Sequence, residues 1–265
     1  MSRFRLTIEY AGTRYSGWQI QANARTVQGE IARAIRTATS RHDFELYGSG
    51  RTDAGVHALG QVAHLEIASN WPADTLRQRV NDELPGDINI LAASGVPHRF
   101  HARHDAVARS YVYQVARRRT AFAKAYVWWV REGLDMARMR ETAALFTGLK
   151  DFRAFTAEEP EEKSTKVLME PIEIAEAGDL ALIRVTGSHF LWKMVRRLVG
   201  VMVEAGRGGL TREEAGRLLA GPSAHPARLT APASGLFLER VFYEGERRDH
   251  PLRPAVPVQV WGTSG

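Results

Sequence analysis

The first ninety residues alternate between two hydrophobic periods. Residues 4–10 place an apolar side chain at every second position, which predicts a half-buried strand. After Thr26 apolar residues recur about every fourth position up to Ala38, which predicts a helix with Thr26 as its N-cap. The patterns then predict a strand near 44–47, a strand at 61–67, a helix around 76–84 and a strand at 87–91. The predicted order is β-α-β-β-α-β.

A second series of elements follows residue 105. The patterns predict a strand at 109–118, a helix over 135–146 that stops before Gly148, a hairpin in 166–187 that turns at Gly178 and Asp179, an apolar helix over 189–206, a helix opened by a Thr211–Glu214 capping box, and a last strand at 236–243. We therefore predict two α/β domains, 1–105 and 106–265. They repeat an architecture without a residue-by-residue repeat.

Composition narrows the classes of function. The 265 residues include 36 Lys and Arg against 30 Asp and Glu, and the net charge of +6 makes a polyanion a plausible partner. Cysteine is absent, which excludes disulfides and thiolate metal sites. Because no apolar run reaches about 18 residues and no apolar leader opens the chain, we expect a soluble cytoplasmic protein that does not enter a membrane. The acidic run at 157–163 is predicted to be a solvated loop.

One stretch carries candidate chemistry, "GSGRTDAGVHALGQVAH" at 48–64. Its glycines permit a tight loop before the strand at 61–67, so Asp53 is expected on a loop at a strand end. From this pattern alone two interpretations stay open. Asp53 is either a turn residue that accepts local backbone hydrogen bonds or a carboxylate presented for catalysis.

The same stretch resembles the catalytic loop of the tRNA pseudouridine synthase A family, in which the nucleophilic aspartate lies in an R-T-D-x-G-V-H-A run. Further matches follow in the same order along nearly the whole chain: "EYAGTRYSGWQIQANARTVQGE", "NDELPGDI", "RFHARHDAVARSYVY", "MVRRLVG" and "SGLFLERVFY". Six matches in order are far more specific than one.

The resemblance implies site residues. Asp53 would be the catalytic group that acts at the ribose, Arg196 would pair with this aspartate, and Tyr111 would stack on the target base. Arg51 would fill the vacated RNA helix or hold a phosphate. From the pattern alone, Arg196 and its neighbour Arg197 could instead lie beside an apolar helix face. Tyr113 is expected in the core as readily as in the site.

The resemblance also implies the fold and the function. The expected fold is α/β, two ferredoxin-like halves that form a continuous, mainly antiparallel sheet, with helices on one side and an active-site cleft between the halves. The expected activity is isomerisation of uridine to pseudouridine at positions 38, 39 and 40 of the tRNA anticodon stem-loop. The expected partners are tRNA and a second copy of the chain in a symmetric homodimer, and no cofactor is expected.

Two other functions remain as alternatives. A non-catalytic RNA-binding protein would have no need of the three matched pocket residues. A nucleoside hydrolase would need a second acid, for which Asp105 is the nearest candidate. A third alternative keeps the reaction but moves it to another RNA site, because the chain departs from the family pattern at Leu-Trp-Lys 191–193 and in the 157–170 segment.

Other conspicuous residues receive structural interpretations. His98, His101 and His104 are spaced by three residues in a segment without helical pattern, so no metal site is expected there. His57 and His64 are expected to brace the Asp53 loop. Trp128 and Trp129 are expected in the core or in a dimer contact.

Overall fold

The alternation near the N-terminus forms the first strand of the structure, a computed structural model that describes residues 1–157 and 164–258. The first series of elements is β1 (Ser2–Tyr10), α1 (Val27–Thr39), β2 (Phe44–Gly48), β3 (His57–Ile67), α2 (Ala73–Glu83) and β4 (Ile88–Gly95). The second is β5 (Ala106–Ala116), β6 (Trp128–Trp129), α3 (Met136–Ala144), β7 (Gly148–Asp151), β8 (Lys166–Met169), β9 (Glu173–Ala177), β10 (Leu180–Gly187), α4 (Met194–Gly206), α5 (Arg212–Arg217), α6 (His225–Arg228) and β11 (Leu236–Tyr243).

These elements form two compact units. Unit 1 is Met1–Val107 with Phe237–Arg248, and unit 2 is Ala108–Leu236 with the described residues from Asp249 onward. The division into domains 1–105 and 106–265 stays a prediction. Unlike the predicted domains, unit 1 is not one continuous stretch of the chain, because most of β11 belongs to it.

Unit 1 is built on strands that pair mainly antiparallel. β1 pairs antiparallel with β3 and β4, and β2 pairs antiparallel with β3. β11 adds parallel to β3 through Phe237 opposite His57. The apolar side chains of β1 are buried, as are Val27, Ile31 and Ile35 of α1, so the alternating strand and the helical stripe supply the core. Thr26 caps α1 by accepting a hydrogen bond from the Gly29 N–H, as predicted.

Unit 2 has the same mainly antiparallel pairing. β10 pairs antiparallel with β5, β9 and β8, and β7 pairs antiparallel with β8. The turn between β9 and β10 falls at Gly178 and Asp179, which confirms the predicted hairpin. Helix α4 is almost wholly buried, and it packs against α3, α5 and α6. The Thr211–Glu214 capping box is present at the start of α5.

The structure confirms the predicted α/β class with a mainly antiparallel arrangement of strands. The predicted helix over 189–206 is wrong in its first turn, because Lys193 has a φ of 61° and α4 begins at Met194. Sequence patterns also missed β6 and β7, which are too short to show a period. In the acidic run, residues 158–163 lie outside the described residues. None of the described helices has the length and apolarity needed to cross a bilayer.

Candidate active site

The loop that carries Asp53 joins β2 to β3, and its first residues are fixed by the strand that follows. The Ser49 N–H donates to the Val62 carbonyl at 2.7 Å. The Gln61 side-chain amide donates to the Gly50 carbonyl at 2.9 Å and accepts from the Ser49 hydroxyl at 2.7 Å. Gln61 is fully buried, so these hydrogen bonds hold the loop in a site without competing water.

Thr52 anchors the middle of the loop. Its side chain is buried, and its hydroxyl lies 2.8 Å from the Tyr10 hydroxyl at the end of β1. Its carbonyl accepts the Trp18 N–H at 3.1 Å. Gly17 has a φ of +92°, and a Cβ atom there would lie 2.5 Å from the Thr52 carbonyl oxygen. Only glycine therefore allows the 17–18 backbone to come this close to the residue before Asp53.

Asp53 itself follows this anchor and opens a tight turn. Its carbonyl accepts the Val56 N–H at 3.1 Å, and the Gly55 N–H donates to the Tyr15 carbonyl at 3.3 Å. Gly55 has a φ of +79°, as the predicted tight loop requires. The Asp53 side chain is partly exposed between the buried Thr52 and the exposed Ala54. The loop thus fixes the backbone of Asp53, a residue that is itself partly exposed.

The N-terminal segment that receives this loop is itself pinned. A Cβ atom on Gly12 would lie 1.9 Å from the Val56 carbonyl oxygen, so the two backbones touch there. The Tyr15 hydroxyl donates to the Asp87 carboxylate, and burial together with this bond raises the pKa of Tyr15 well above its usual value. This segment lies within the family resemblance, but the sequence alone assigned no role to Gly12 and Gly17. Their signal was the glycine spacing in "AGTRYSGW".

The two motif histidines serve as acceptors for backbone groups. His57 Nδ1 accepts the Gly12 N–H at 3.0 Å, and its ring stacks on Phe237 with centroids 4.7 Å apart. His64 Nδ1 accepts the Ala102 N–H at 3.2 Å. Burial, and then the positive charge of His101, lowers the pKa of His64 from 6.5 to about 4. His64 is therefore neutral at physiological pH, as an acceptor must be.

The three-residue histidine series forms no metal centre among the residues that the structure describes, in which no group of three His, Asp or Glu side chains is placed to hold an ion. His101 and His104 instead contact each other, with ring centroids 4.2 Å apart. Asp105 accepts the His101 N–H at 2.9 Å. The Asp105 carboxylate, the candidate second acid for a hydrolase, therefore takes part in a hydrogen bond that supports the local backbone.

Tyr111 and Tyr113, both on strand β5 of unit 2, differ sharply in burial. Tyr113 is fully buried, and its hydroxyl donates to the Pro232 carbonyl at 2.7 Å. Burial raises its pKa well above the usual value, while the nearby Arg196 charge acts in the opposite direction. Tyr111 is partly exposed and meets Phe190 edge-on at 5.2 Å. Tyr113 is a core residue, and Tyr111 is the more accessible ring.

Arg196 and Arg197 leave α4 in different directions. Arg197 is buried and donates to the Ala154 and Thr156 carbonyls, and burial lowers its pKa. Arg196 is partly exposed, and its Nε donates to the Ala231 carbonyl at 2.7 Å. The structure thus separates a buried arginine that supports the fold from one that is partly exposed.

Arg196 and Tyr113 meet on a single irregular segment of unit 2. The Ala231 carbonyl accepts from Arg196, and the next carbonyl, that of Pro232, accepts from Tyr113. The segment can approach α4 because Gly200 has no side chain. A Cβ atom on Gly200 would lie only 1.6 Å from the Leu229 carbonyl oxygen. Within unit 2 the structure therefore brings Arg196 close to the strand that carries Tyr111.

The remaining predicted positions are also on the surface of their units. Arg51 is exposed, two residues before Asp53 in the same loop of unit 1. Trp128 is partly exposed and Trp129 is 42% exposed, with the Arg119 guanidinium 6.0 Å from the Trp129 ring. The divergent Trp192 is 47% exposed, and the Lys193 ammonium lies 4.8 Å from its ring. The catalytic and binding roles of Asp53, Arg51, Tyr111 and Arg196 stay predictions.

Comparison with known proteins identifies the family. A family model described as tRNA pseudouridine synthase matches residues 6–105 and 142–244. The chain belongs to the tRNA pseudouridine synthase family. The matched ranges include Asp53 and Arg196. Tyr111 lies in the stretch between the two ranges, which the family model does not match. Membership confirms the predicted resemblance and the prediction of an enzyme that modifies RNA.

Individual relatives agree with this assignment. A protein named tRNA pseudouridine synthase A from Syntrophotalea carbinolica is 42% identical over 245 residues, 92% of this chain and 97% of the relative. Proteins of the same name from Mesorhizobium japonicum and Xanthobacter autotrophicus are 39% and 37% identical over 92% of this chain and the whole of each relative. Among solved structures, a chain in a crystal structure of a Cbf5-Nop10-Gar1 complex matches 76% of this chain and 44% of its own length, at 14% identity and a TM-score of 0.36.

Proposed function

We propose that this enzyme isomerises uridine to pseudouridine at positions 38, 39 and 40 in the anticodon stem-loop of tRNA, with Asp53 as the group that acts at the ribose. The observation that carries the proposal is the Asp53 loop. Hydrogen bonds to Thr52, Asp53 and Gly55 fix the backbone around Asp53, and the residue remains partly exposed. The names of the relatives support tRNA as the substrate.

The reaction explains why one carboxylate is enough. The C1′–N1 bond breaks, the uracil turns within the site, and a C1′–C5 bond forms. N1 takes up a proton, the C5 proton leaves to solvent, and no water is added. A hydrolytic glycosidase usually needs a second carboxyl group to activate water or the leaving group, whereas an isomerase retains its leaving group. Asp53 can act as a nucleophile at C1′ or as a base on a route through a glycal.

The other site residues keep the roles that the family resemblance gives them. Tyr111 would stack on the extruded uracil, as enzymes that act on a flipped base commonly require. Arg196 would pair with the Asp53 carboxylate and balance its negative charge where bound RNA excludes water. Support comes from unit 2, where Tyr111 and Arg196 are both partly exposed while Tyr113 and Arg197 are buried. Arg51, exposed beside Asp53, would contact the RNA backbone.

We further propose that the enzyme acts as a symmetric homodimer. A site that modifies three neighbouring positions cannot recognise each one by its flanking bases, so it must read the shape of the tRNA. Shape recognition needs a long basic surface, and twofold pairs are the commonest assemblies. The exposed Trp129, with Arg119 over its ring, is a candidate for the contact between copies.

The proposal is tested by assaying the purified chain on an unmodified tRNA transcript labelled with tritium at uracil C5. We expect tritium release, no free uracil, and pseudouridine mapped to positions 38, 39 and 40. Free uracil would indicate a hydrolase. RNA binding without release would indicate a non-catalytic protein. Release from uridines outside the anticodon arm would retain the reaction and overturn the assigned positions.

A further inference from the structure

Beside the Asp53 loop, unit 1 carries a feature that the proposed chemistry does not use. The segment His101–Asp105, hereafter the 101–105 segment, has no regular secondary structure, yet it is firmly held. The Ala102 N–H donates to His64 Nδ1 at 3.2 Å, and the Ala102 carbonyl accepts the Tyr243 hydroxyl at 2.7 Å. Buried side chains from two strands therefore fix its backbone.

The segment is also braced from within, around Arg103. His101 Nδ1 accepts the N–H groups of Arg103 and His104 at 3.1 and 3.2 Å. Asp105 closes the turn, since its N–H donates to the His101 carbonyl at 3.1 Å and its carboxylate accepts the His101 N–H at 2.9 Å. This bonding holds the backbone of Arg103 in one conformation and leaves its side chain exposed.

Tyr47 rests against the same histidines. It is the register partner of His64, and the two rings stack with centroids 5.8 Å apart and planes 19° apart. The His101 ring meets Tyr47 edge-on at 5.0 Å. In spite of these contacts, Tyr47 is 44% exposed, whereas His64 is 3% exposed. An aromatic ring that is supported by two imidazoles and open to solvent is a ready platform for stacking.

Tyr47, Arg51 and Arg103 line one shallow depression, together with Trp18 and Gln19 among others. Its cavity volume is about 20 Å³, so it can accept the edge of a group lying on the surface rather than a whole molecule. Of the described residues that line it, two carry a guanidinium and none carries a carboxylate. Paired guanidinium groups suit a phosphate, which they bind through charge-assisted hydrogen bonds.

We propose that Tyr47, Arg51 and Arg103 form a binding site for one unpaired nucleotide of the RNA substrate other than the target uridine. Its base stacks on Tyr47, and its phosphate binds Arg103 and Arg51. The inference rests on the proposed function, because it assumes an RNA substrate. Aromatic side chains with adjacent cations are the usual means of binding single-stranded nucleotides without reading their sequence. Since Arg51 lies two residues before Asp53, the bound nucleotide neighbours the modified position.

The test compares variants of Tyr47 in the C5 tritium-release assay and in direct binding of the same tRNA. Tyr47→Leu keeps apolar bulk on His64 but has no aromatic face. We expect it to raise KM and Kd by about 5- to 150-fold, the range for loss of one stacked base, with kcat unchanged. Tyr47→Phe keeps the ring and should stay within about twofold of wild type. Thermal unfolding of each variant measures whether the fold is intact.

Arg103 supplies an independent second measurement. Arg103→Ala should weaken binding and lower the slope of log K on log salt by about one. Arg77→Ala, at a partly exposed position of α2 that does not line the depression, removes an equal charge and should leave the catalytic constants unchanged. If Tyr47 and Arg103 hold the same nucleotide, the double variant Tyr47→Leu with Arg103→Ala should lose less affinity than the two single losses combined.

The two proposals fail in different ways. No tritium release by the wild type would overturn the proposed function. An active wild type with Tyr47→Leu and Arg103→Ala variants that bind tRNA as tightly as wild type would overturn the nucleotide site alone. A Tyr47→Leu variant that remains folded and loses kcat with an unchanged Kd would also contradict it, since such a residue would act on the reaction and not on binding.

Discussion

The Asp53 loop of unit 1 and helix α4 of unit 2, which carries Arg196, place their charged residues by different means. The loop is irregular, and its shape depends on main-chain contacts that require glycine at positions 12 and 17. Arg196 projects from a regular helix, and its environment is completed by one segment that passes over Gly200. The first arrangement constrains many consecutive residues, and the second constrains only a few scattered ones.

This difference explains where the sequence is informative. An irregular loop that must hold a carboxylate restricts residue type at nearly every position, because each backbone group needs a specific partner. A helix restricts only its buried face and the one projecting side chain. The R-T-D-x-G-V-H-A stretch is therefore recognisable by itself, whereas "MVRRLVG" gains meaning only in the company of the other matches.

The largest expected effect is that of Asp53→Asn. The loop is anchored through Thr52 and Gly55, so the amide should leave its conformation intact while it removes the group that acts at the ribose. We expect activity to fall by more than about a thousandfold, with unfolding and tRNA affinity close to wild type. Tritium release from C5-labelled tRNA measures the loss, and Asp82→Asn on α2 is the matched control. Substantial release by Asp53→Asn would contradict the catalytic role.

Gly17→Ala should break the anchoring itself. The new Cβ would lie 2.5 Å from the Thr52 carbonyl oxygen, and the φ of +92° is unfavourable for alanine. We expect a loss of unfolding free energy of about 2–4 kcal/mol, accompanied by loss of activity in the protein that remains folded. Gly50→Ala, where a Cβ would meet nothing within 4 Å, should lose far less in a urea titration. Equal losses at both positions would mean that the close approach does not hold the loop.

Sequence patterns predicted the regular elements well and the contacts that fix the site poorly. Periodicity identified β1 and α1 because each has a long buried face, and the Gly178–Asp179 turn marked the β9–β10 hairpin. It extended α4 over residues 189–193, since apolar residues there resemble a helical face although Lys193 adopts a left-handed backbone.

Within the candidate site, Asp53 was found from its motif, yet the stacking of Tyr47 on His64 was not. These residues lie on separate strands, 17 positions apart, and meet only through the register of β2 with β3. Likewise, nothing in "VRR" shows which arginine is buried. That outcome depends on the Ala154 and Thr156 carbonyls, some 40 residues away. Contacts between distant backbone groups leave no local pattern to read.

Substitution of Tyr111, the partly exposed tyrosine of β5, should lower activity less than substitution of Asp53. Tyr111→Ala should lower kcat/KM by about 5- to 150-fold, the cost of one lost base stack, with little change in stability because the ring is partly exposed. Tyr113→Phe removes the hydroxyl that donates to Pro232 and should instead cost about 1 kcal/mol of unfolding free energy. Parallel measurement of kinetics and urea unfolding distinguishes the two. An unfolded Tyr111→Ala variant would show that Tyr111 belongs to the core.

The stability of unit 1 should depend on pH through His64. His64 is buried, accepts the Ala102 N–H, and has a pKa of about 4 against 6.5 for the free side chain. Between these values the unfolded chain binds the proton and the folded chain does not, so stability is full above pH 6.5 and falls as the pH drops towards 4. From pH 8 to pH 5 this single group should cost about 2 kcal/mol.

His64→Asn separates this effect from other titrating groups, because an asparagine oxygen can still accept a hydrogen bond but takes up no proton in this range. Urea unfolding at pH 8 and pH 5 should show a fall in free energy that is about 2 kcal/mol larger for wild type than for the variant. Equal falls would mean that His64 takes up a proton as readily in the folded chain as in the unfolded one, so that giving up the Ala102 contact costs no stability. In that case the 101–105 segment would be held by Tyr243 and its internal hydrogen bonds, and its backbone would keep its place in acid.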